Sequence, residues 1–90
     1  MLNIVRSNRF DKDLKLAVKR GFDMRLLDEV VTKLQKGMRL DEKYRDHALL
    51  GNYNDFRECH IQPDWLLIYR IDEEEHELYL FRTGTHSDLF

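Results

Sequence analysis

The segment from Arg82 to Phe90 contains three side chains whose chemistry suits an RNA substrate. Arg82 follows an apolar run, and an arginine can hold a phosphate through two hydrogen bonds. His86 is a candidate acid or base, because a histidine can transfer a proton near neutral pH. Phe90 is a candidate substrate contact, because a phenylalanine can stack on an unpaired base. We therefore expect this segment to form part of a site that acts on RNA.

Three residues upstream, His47, His60 and Asp64, would complete such a site. His60 and Asp64 are four residues apart across a predicted turn, so we expect the carboxylate to orient the imidazole. With His86 and Arg82 these side chains would supply a base for a 2'-hydroxyl proton, an acid for the leaving 5'-oxygen and a cation for the phosphorane. This transesterification would require no metal ion and no other cofactor.

Structural interpretations of the same residues stay open. A single loop histidine such as His47 is often only solvent-exposed, and His60 with Asp64 is also compatible with a purely structural pair. Trp65 begins an apolar strand, where it would either stack on a base or pack in the core. A zinc site is a competing use of the histidines, but their spacing matches neither a His-Glu-x-x-His helix nor a cysteine-rich site.

Length and composition indicate one folded domain spanning residues 1–90. The chain has 42% hydrophobic and 36% charged residues, which excludes an intrinsically disordered chain. The longest apolar run, Trp65 to Tyr69, is far shorter than the ~20 residues of a membrane span. The first residues lack the apolar stretch of a signal peptide, so we expect a cytoplasmic protein without membrane contact. The single cysteine, Cys59, is expected to be a packed thiol.

Charge is unevenly distributed along the chain, although the net charge is only -2. Residues 1–45 contain 12 Lys or Arg against 7 Asp or Glu, whereas residues 46–90 contain 3 against 10. A basic helical half would be able to face a polyanion while the acidic residues lie elsewhere. Two ordinary solvated surfaces are the alternative explanation.

Apolar periodicity predicts two helices followed by strands. After a short edge strand beginning near Leu2, Ser7 would cap a helix over residues 8–20 with Phe10, Leu14, Ala17 and Val18 on its apolar face. A second helix would begin after Asp23 and end before Gly37, with an apolar stripe formed by Leu27, Val30, Val31 and Leu34. Residues 38–54 show no periodicity and are predicted to be irregular.

Three further strands are predicted at residues 56–61, 65–71 and 78–82, joined by hairpin-short turns. The strand that begins at Trp65 is apolar at successive positions, so we expect it to be central and covered on both faces. The predicted fold is therefore α+β, with a helical hairpin packed on a small, largely antiparallel four-stranded sheet.

The sequence resembles the YafQ branch of the RelE/ParE toxin superfamily over nearly its whole length. The motifs that carry the resemblance are Tyr44-x-Asp46-His47-x-Leu49-x-Gly51, Phe56-Arg57-x-x-His60-x-x-Pro63-Asp64-Trp65-x-Leu67-Ile68-Tyr69 and Arg82-Thr83-Gly84-Thr85-His86-x-x-Leu89-Phe90. The resemblance implies catalytic roles for His47, His60, Asp64, Arg82 and His86, and substrate contacts by Phe90 and the adjoining Trp65. The sequence departs from the family pattern at Arg45, where lysine is usual, and at Ala48, where a proline follows the histidine.

The resemblance also implies a microbial-RNase-like fold and a ribosome-dependent endoribonuclease that cleaves mRNA in the ribosomal A site. The implied partners are the ribosome, mRNA and a cognate antitoxin, with operator DNA bound only by the toxin-antitoxin complex. A non-catalytic alternative is a ParE-like inhibitor of a protein target, or an operon co-repressor acting with its antitoxin. Such a protein would have no need of three histidines, an aspartate and an arginine near one another.

Overall fold

The computed structural model of the protein describes residues 1–90 and shows an α+β fold in which two long helices cover one face of a single sheet. The helices are α1 (Asn8–Lys19), α2 (Met24–Gln35) and α3 (His86–Leu89). The strands are β1 (Asn3–Arg6), β2 (His47–Ala48), β3 (Arg57–Gln62), β4 (Trp65–Asp72) and β5 (Glu77–Gly84). Two 3₁₀ turns, Glu42–Tyr44 and Gly51–Tyr53, lie in the long connection between α2 and β3.

The strand order is β1-β5-β4-β3-β2, with β1 parallel to β5 and every other pair antiparallel. This confirms the predicted α+β class, the edge position of the first strand and the central position of β4. The sheet has five strands rather than four, because the segment predicted to be irregular contributes β2. Two residues are too few to show periodicity in a sequence, and β2 exists only through its pairing with Arg57 and Glu58.

Both long helices begin and end at the predicted signals. The Ser7 hydroxyl accepts a hydrogen bond from the Phe10 N–H, and the Asp23 carboxylate accepts one from the Arg25 N–H. Gly21 follows α1 with a φ of 81°, a left-handed conformation that a side chain would disfavour. The N–H groups of Gly21 and Phe22 satisfy the last carbonyls of α1, so the chain can turn at once into α2.

The helices bury most of the residues predicted for their apolar faces. All four members of the α2 stripe are buried, and α1 buries Phe10 and Ala17. Val18 was predicted to lie on the same face, but its side chain is 57% exposed. It follows Ala17 directly, and a step of one residue turns a helix by about 100°, which rotates Val18 away from the sheet.

The two faces of strand β4 have different surroundings. Trp65, Leu67 and Tyr69 belong to the core beneath the helices, whereas the alternate residues Leu66 and Ile68 are buried on the opposite face. The helices therefore cover one face and leave the other free to carry polar and aromatic side chains. None of the three helices combines the length and apolar composition that crossing a membrane requires.

Candidate active site

Strand β3 places a buried carboxylate and a histidine on the face of the sheet opposite the two long helices. Cys59 and Ile61 belong to the core, so the alternate residues Glu58 and His60 lie on the opposite face. Glu58 is only 6% exposed. Its neighbour across the β2–β3 ladder is His47. The pairing of two strands thus brings two histidines to one carboxylate.

The two imidazoles flank the Glu58 carboxylate at nearly equal distances. His47 Nε2 lies 3.6 Å from Glu58 Oε1, and His60 Nε2 lies 3.5 Å from the same oxygen. The other ring nitrogens face backbone carbonyls, with Nδ1 of His47 2.7 Å from the Arg45 oxygen and Nδ1 of His60 3.3 Å from the Pro63 oxygen. A carbonyl only accepts, so each Nδ1 carries a hydrogen and each Nε2 faces the carboxylate.

Asp46 holds the His47 segment against the sheet. Its carboxylate accepts hydrogen bonds from the Tyr69 hydroxyl at 2.5 Å and from the Arg57 guanidinium at 3.3 and 3.4 Å. These contacts tie the connection before β2 to strands β3 and β4. His47 therefore follows directly after an anchored residue, which limits the positions that its ring can take.

The third histidine is oriented by Asp64, and this corrects the expectation that Asp64 orients His60. His86 Nδ1 lies 2.6 Å from Asp64 Oδ1, and the His86 backbone N–H donates to the same oxygen at 3.0 Å. The backbone bond and the ring bond lower the pKa of Asp64. His60 instead faces Glu58 from within the strand, whereas the turn that carries Asp64 faces the start of α3.

The three rings form one contiguous group. The ring centroids of His47 and His60 are 6.4 Å apart, and those of His60 and His86 are 5.6 Å apart. We call His47, His60 and His86, with Glu58 and Asp64, the histidine cluster. Four of its members were predicted from the sequence. Glu58 was not selected, although strand alternation puts it on the same face as His60, which is the signal that would have identified it.

Arg82 is held by an acidic residue of α1. Its Nε and Nη2 donate to the two carboxylate oxygens of Asp13 at 2.7 and 3.1 Å, and the Thr83 N–H donates to Asp13 at 3.1 Å. The side chains of Arg82 and Asp13 are only 15% and 13% exposed. Arg82 Nη1 takes no part in these bonds, which leaves it available to a phosphate. No sequence pattern pointed to Asp13, because 69 positions separate it from Arg82.

Of the two aromatic residues predicted to contact a substrate, the structure leaves only Phe90 accessible. Trp65 is 1% exposed and packs edge-on against Phe22, with 5.0 Å between the ring centroids. Its Nε1–H donates to the Thr83 hydroxyl at 2.9 Å. It lies beneath the helices, so the prediction that it stacks on a base is wrong. Phe90 is 63% exposed and packs edge-on against Tyr53, with 6.3 Å between the ring centroids.

The site includes neither a metal-binding group of side chains nor the cysteine. No three His, Cys, Asp or Glu side chains are arranged so as to hold a metal ion. Cys59 is fully buried, and burial raises the pKa of its thiol well above the usual range. A protonated thiol in the core is a poor nucleophile, which agrees with the expectation of a packed cysteine.

Comparison with known proteins gives consistent matches over the whole chain. Residues 2–90 match the family described as bacterial toxin of type II toxin-antitoxin system, YafQ. The mRNA interferase toxin YafQ of Escherichia coli strain K12 is 41% identical over 85 residues, which cover 93% of this chain and 90% of that protein. A crystal structure of the E. coli DinJ-YafQ complex contains a chain that is 40% identical, with a TM-score of 0.89 and coverage of 100% of this chain and 99% of that one. A crystal structure of a metal-bound toxin from Helicobacter pylori is 53% identical, with a TM-score of 0.94 and full coverage of both chains.

Proposed function

The chain belongs to the YafQ family of bacterial toxins of type II toxin-antitoxin systems, and on this premise we propose that it is an endoribonuclease that cleaves mRNA in the ribosomal A site. Such cleavage inhibits translation. The observation that carries the proposal is the convergence of three imidazoles and two carboxylates in one cluster. A protein inhibitor has no use for such a group, whereas RNA transesterification requires a positioned base and acid.

The reaction that this geometry supports is attack of a 2'-hydroxyl on the adjacent phosphate. The 2'-oxygen forms a bond to phosphorus, and the bond from phosphorus to the 5'-oxygen of the next nucleotide breaks. The products are a 2',3'-cyclic phosphate and a 5'-hydroxyl end. One proton leaves the 2'-oxygen and one is delivered to the 5'-oxygen, so the net charge is unchanged.

His86 suits the role of the acid. Asp64 occupies Nδ1, which leaves Nε2 of His86 to face the substrate. The adjacent carboxylate also compensates the positive charge that the ring carries before it gives up its proton. His60, with Glu58 beside its Nε2, then serves as the base that takes the 2'-hydroxyl proton. His47, on the same carboxylate, aids proton transfer or binds the phosphate.

Arg82 and Phe90 supply the remaining interactions. Asp13 fixes the guanidinium of Arg82 through two nitrogens, so Nη1 is presented without further ordering of the side chain. It would donate to the negative oxygens of the phosphorane. The exposed ring of Phe90 would stack on a base that is splayed out of the mRNA.

The proposed partners follow from the relatives and from the reaction. An E. coli relative was crystallised in the DinJ-YafQ toxin-antitoxin complex. We propose that a cognate antitoxin likewise binds this chain, and that this binding neutralises it. Operator DNA would be bound only by that toxin-antitoxin complex. Because the substrate is ribosome-bound mRNA, the protein acts in the cytoplasm.

The test is induced expression of wild type, His86→Ala and His76→Asn, with growth and the 5' ends of a translated reporter mRNA measured together. His76 is an exposed histidine in the turn before β5 with a φ of 56°, which asparagine tolerates, so it is a matched control. We expect wild type and His76→Asn, but not His86→Ala, to stop growth and to produce new 5' ends. Arrest by His86→Ala without new ends would favour the protein-inhibitor alternative.

Metal independence is tested with the purified protein. The H. pylori relative was crystallised with bound metal, so a direct measurement on this chain is needed. We expect cleavage of mRNA on programmed ribosomes to be unchanged after the toxin is treated with EDTA and the chelator is removed before mixing. A loss of cleavage that added metal restores would overturn the metal-free mechanism.

A further inference from the structure

An open edge of the sheet lies directly beside the histidine cluster. Strand β2 pairs only with Arg57 and Glu58, so the edge of β3 from Cys59 to Gln62 has no neighbouring strand. A cavity of about 610 Å³ occupies this position. Its wall includes residues from α2, from the 3₁₀ turn before β2, and from the second half of β3 with the turn that follows.

His60 is shared between the cavity and the histidine cluster. Its ring faces Glu58 at one nitrogen and lies 5.6 Å from the ring of His86, yet the residue also lines the cavity. An RNA strand whose scissile phosphate lies at His60 and His86 would therefore extend past His60 to the open edge. The cavity is positioned to receive the next part of that strand.

The cavity has an excess of unpaired positive charge. Lys43 and Arg45 line it, both are exposed, and neither forms an ion pair with any carboxylate in the chain. The acidic residue of the wall, Glu29, has a lysine of its own helix, Lys33, at 4.0 Å. The ammonium of Lys43 lies 5.1 Å from the centroid of the Tyr44 ring, which carries no charge. Two cations beside a single acidic residue attract an anion such as a phosphate group.

Arg45 connects the cavity to the cluster through its backbone. It is in the left-handed conformation, with φ 49° and ψ 41°, which is uncommon for a residue with a side chain. Its carbonyl faces Nδ1 of His47 at 2.7 Å. This backbone conformation allows Arg45 to orient His47 with its carbonyl while Arg45 also lines the cavity. Strained backbone of this kind is often retained at functional sites.

We propose that this cavity is a second RNA subsite, in which Lys43 and Arg45 bind a phosphate of a nucleotide that flanks the scissile bond. The inference rests on the proposed endoribonuclease function and extends it to substrate positioning. The amide of Gln62, on the same wall, provides a donor and an acceptor for a base or a ribose hydroxyl. An acidic peptide would also match the charge, but sharing of His60 with the cluster favours the substrate strand.

The experiment compares wild type with Lys43→Gln, Arg45→Asn and the double variant in single-turnover cleavage of mRNA on programmed ribosomes. Asparagine at position 45 tolerates the left-handed backbone and retains the carbonyl that orients His47. Arg39→Gln is the matched control, because Arg39 is an exposed arginine that lines a different cavity and forms no ion pair. Thermal melting verifies that every variant is folded.

We expect the half-saturating toxin concentration of the double variant to rise about tenfold, and its maximal rate to change less. Neither quantity should change in Arg39→Gln. The dependence of log affinity on log salt should become shallower by about 0.7 for each phosphate contact removed. An unchanged half-saturating concentration would overturn the subsite while leaving the endoribonuclease intact. Weakened antitoxin binding with unchanged cleavage would assign the cavity to an acidic peptide. If wild type leaves the mRNA intact, the proposed function fails, and the subsite fails with it.

Discussion

His86 donates both its backbone N–H and its ring Nδ1–H to a single oxygen of Asp64, at 3.0 and 2.6 Å. One carboxylate therefore fixes the first residue of α3 and the direction of its imidazole. The two residues are 22 positions apart, and the link between them sets which ring nitrogen remains for chemistry. This contact is the basis for the assignment of His86 as the acid.

Replacement of Asp64 by asparagine should reduce the rate of mRNA cleavage by about tenfold to a hundredfold, which is part of the contribution of a positioned acid. The amide can still contact the ring but cannot compensate its positive charge. The measurement is single-turnover cleavage on programmed ribosomes in a double-mutant cycle with His86→Ala. Because the carboxylate acts through the ring, Asp64→Asn should add little once His86 is alanine. Fully additive effects would contradict this coupling.

Glu58→Gln should also reduce cleavage, by about tenfold or more, because it removes the negative charge between the rings of His47 and His60 while keeping the shape of the side chain. Imidazole ¹⁵N NMR should show altered ring nitrogen signals for these two histidines and little change for His86. Glu77→Gln, which neutralises a carboxylate at the far end of β5, is the control. A wild-type rate in Glu58→Gln would exclude the carboxylate from the reaction.

Asp13→Asn should lower the free energy of unfolding by about 1 to 3 kcal/mol, because a partly buried guanidinium loses its charged acceptor. For a domain of this size, each 1 kcal/mol corresponds to a fall of about 4 to 8 °C in Tm. Asp11→Asn is the matched control on the same helix. Its ion pair with Arg6 is exposed, and such pairs contribute about 0 to 1 kcal/mol.

Cleavage by Asp13→Asn should fall as well, since Arg82 would no longer be held in place for the phosphate. If both aspartate variants melt at the temperature of wild type, the contact between Asp13 and Arg82 does not stabilise the fold.

Trp65→Phe should change the stability of the protein, whereas Phe90→Ala should change its substrate binding. The first removes indole volume from the core and the donor to Thr83, so it should lower the free energy of unfolding by about 2 kcal/mol with cleavage retained below the melting transition. The second removes an exposed ring, so stability should change little while the half-saturating toxin concentration rises. Urea unfolding and cleavage assays on both variants test this. Loss of cleavage by a fully folded Trp65→Phe would restore a substrate role for the indole.

Acid should weaken the attachment of α3 through the ion pair between Arg20 and Asp88. The bond from Arg20, with a further bond from the Thr85 N–H, lowers the pKa of Asp88 to about 2 from an ordinary value of 3.8. The folded carboxyl binds its proton less readily than the unfolded one. Its contribution to stability is therefore complete above the ordinary value and is lost as the pH falls through about 2.

Urea unfolding of wild type and Asp88→Asn between pH 6 and pH 2 measures this contribution. The difference in unfolding free energy between the two proteins should be constant at the upper end and should shrink toward zero at the lower end. Arg20→Gln should remove most of the same pH dependence. A difference that does not vary with pH would show that folding does not lower the pKa of Asp88.

Several features of the fold were predictable because they depend on residues close together in the sequence. Ser7 and Asp23 cap the helices that follow them, and the α2 stripe from Leu27 to Leu34 is buried as its periodicity indicated. The motifs around the histidines identified the family, since they preserve residue types at fixed spacing. Caps, periodicity and motifs are local, so the sequence alone determined the two long helices, four of the five strands, the fold class and the chemical candidates.

The pairing of those candidates was decided only by the tertiary structure. Asp64 contacts His86 rather than His60, which is closer in the sequence. Arg82 is held by Asp13, which lies 69 positions earlier in the chain. The burial of Trp65 follows from which face of β4 the helices cover. Strand register, sheet order and helix placement set these contacts, and a shift of one residue in register would turn each side chain to the opposite face. No local pattern encodes that choice, because it results from the packing of the whole core.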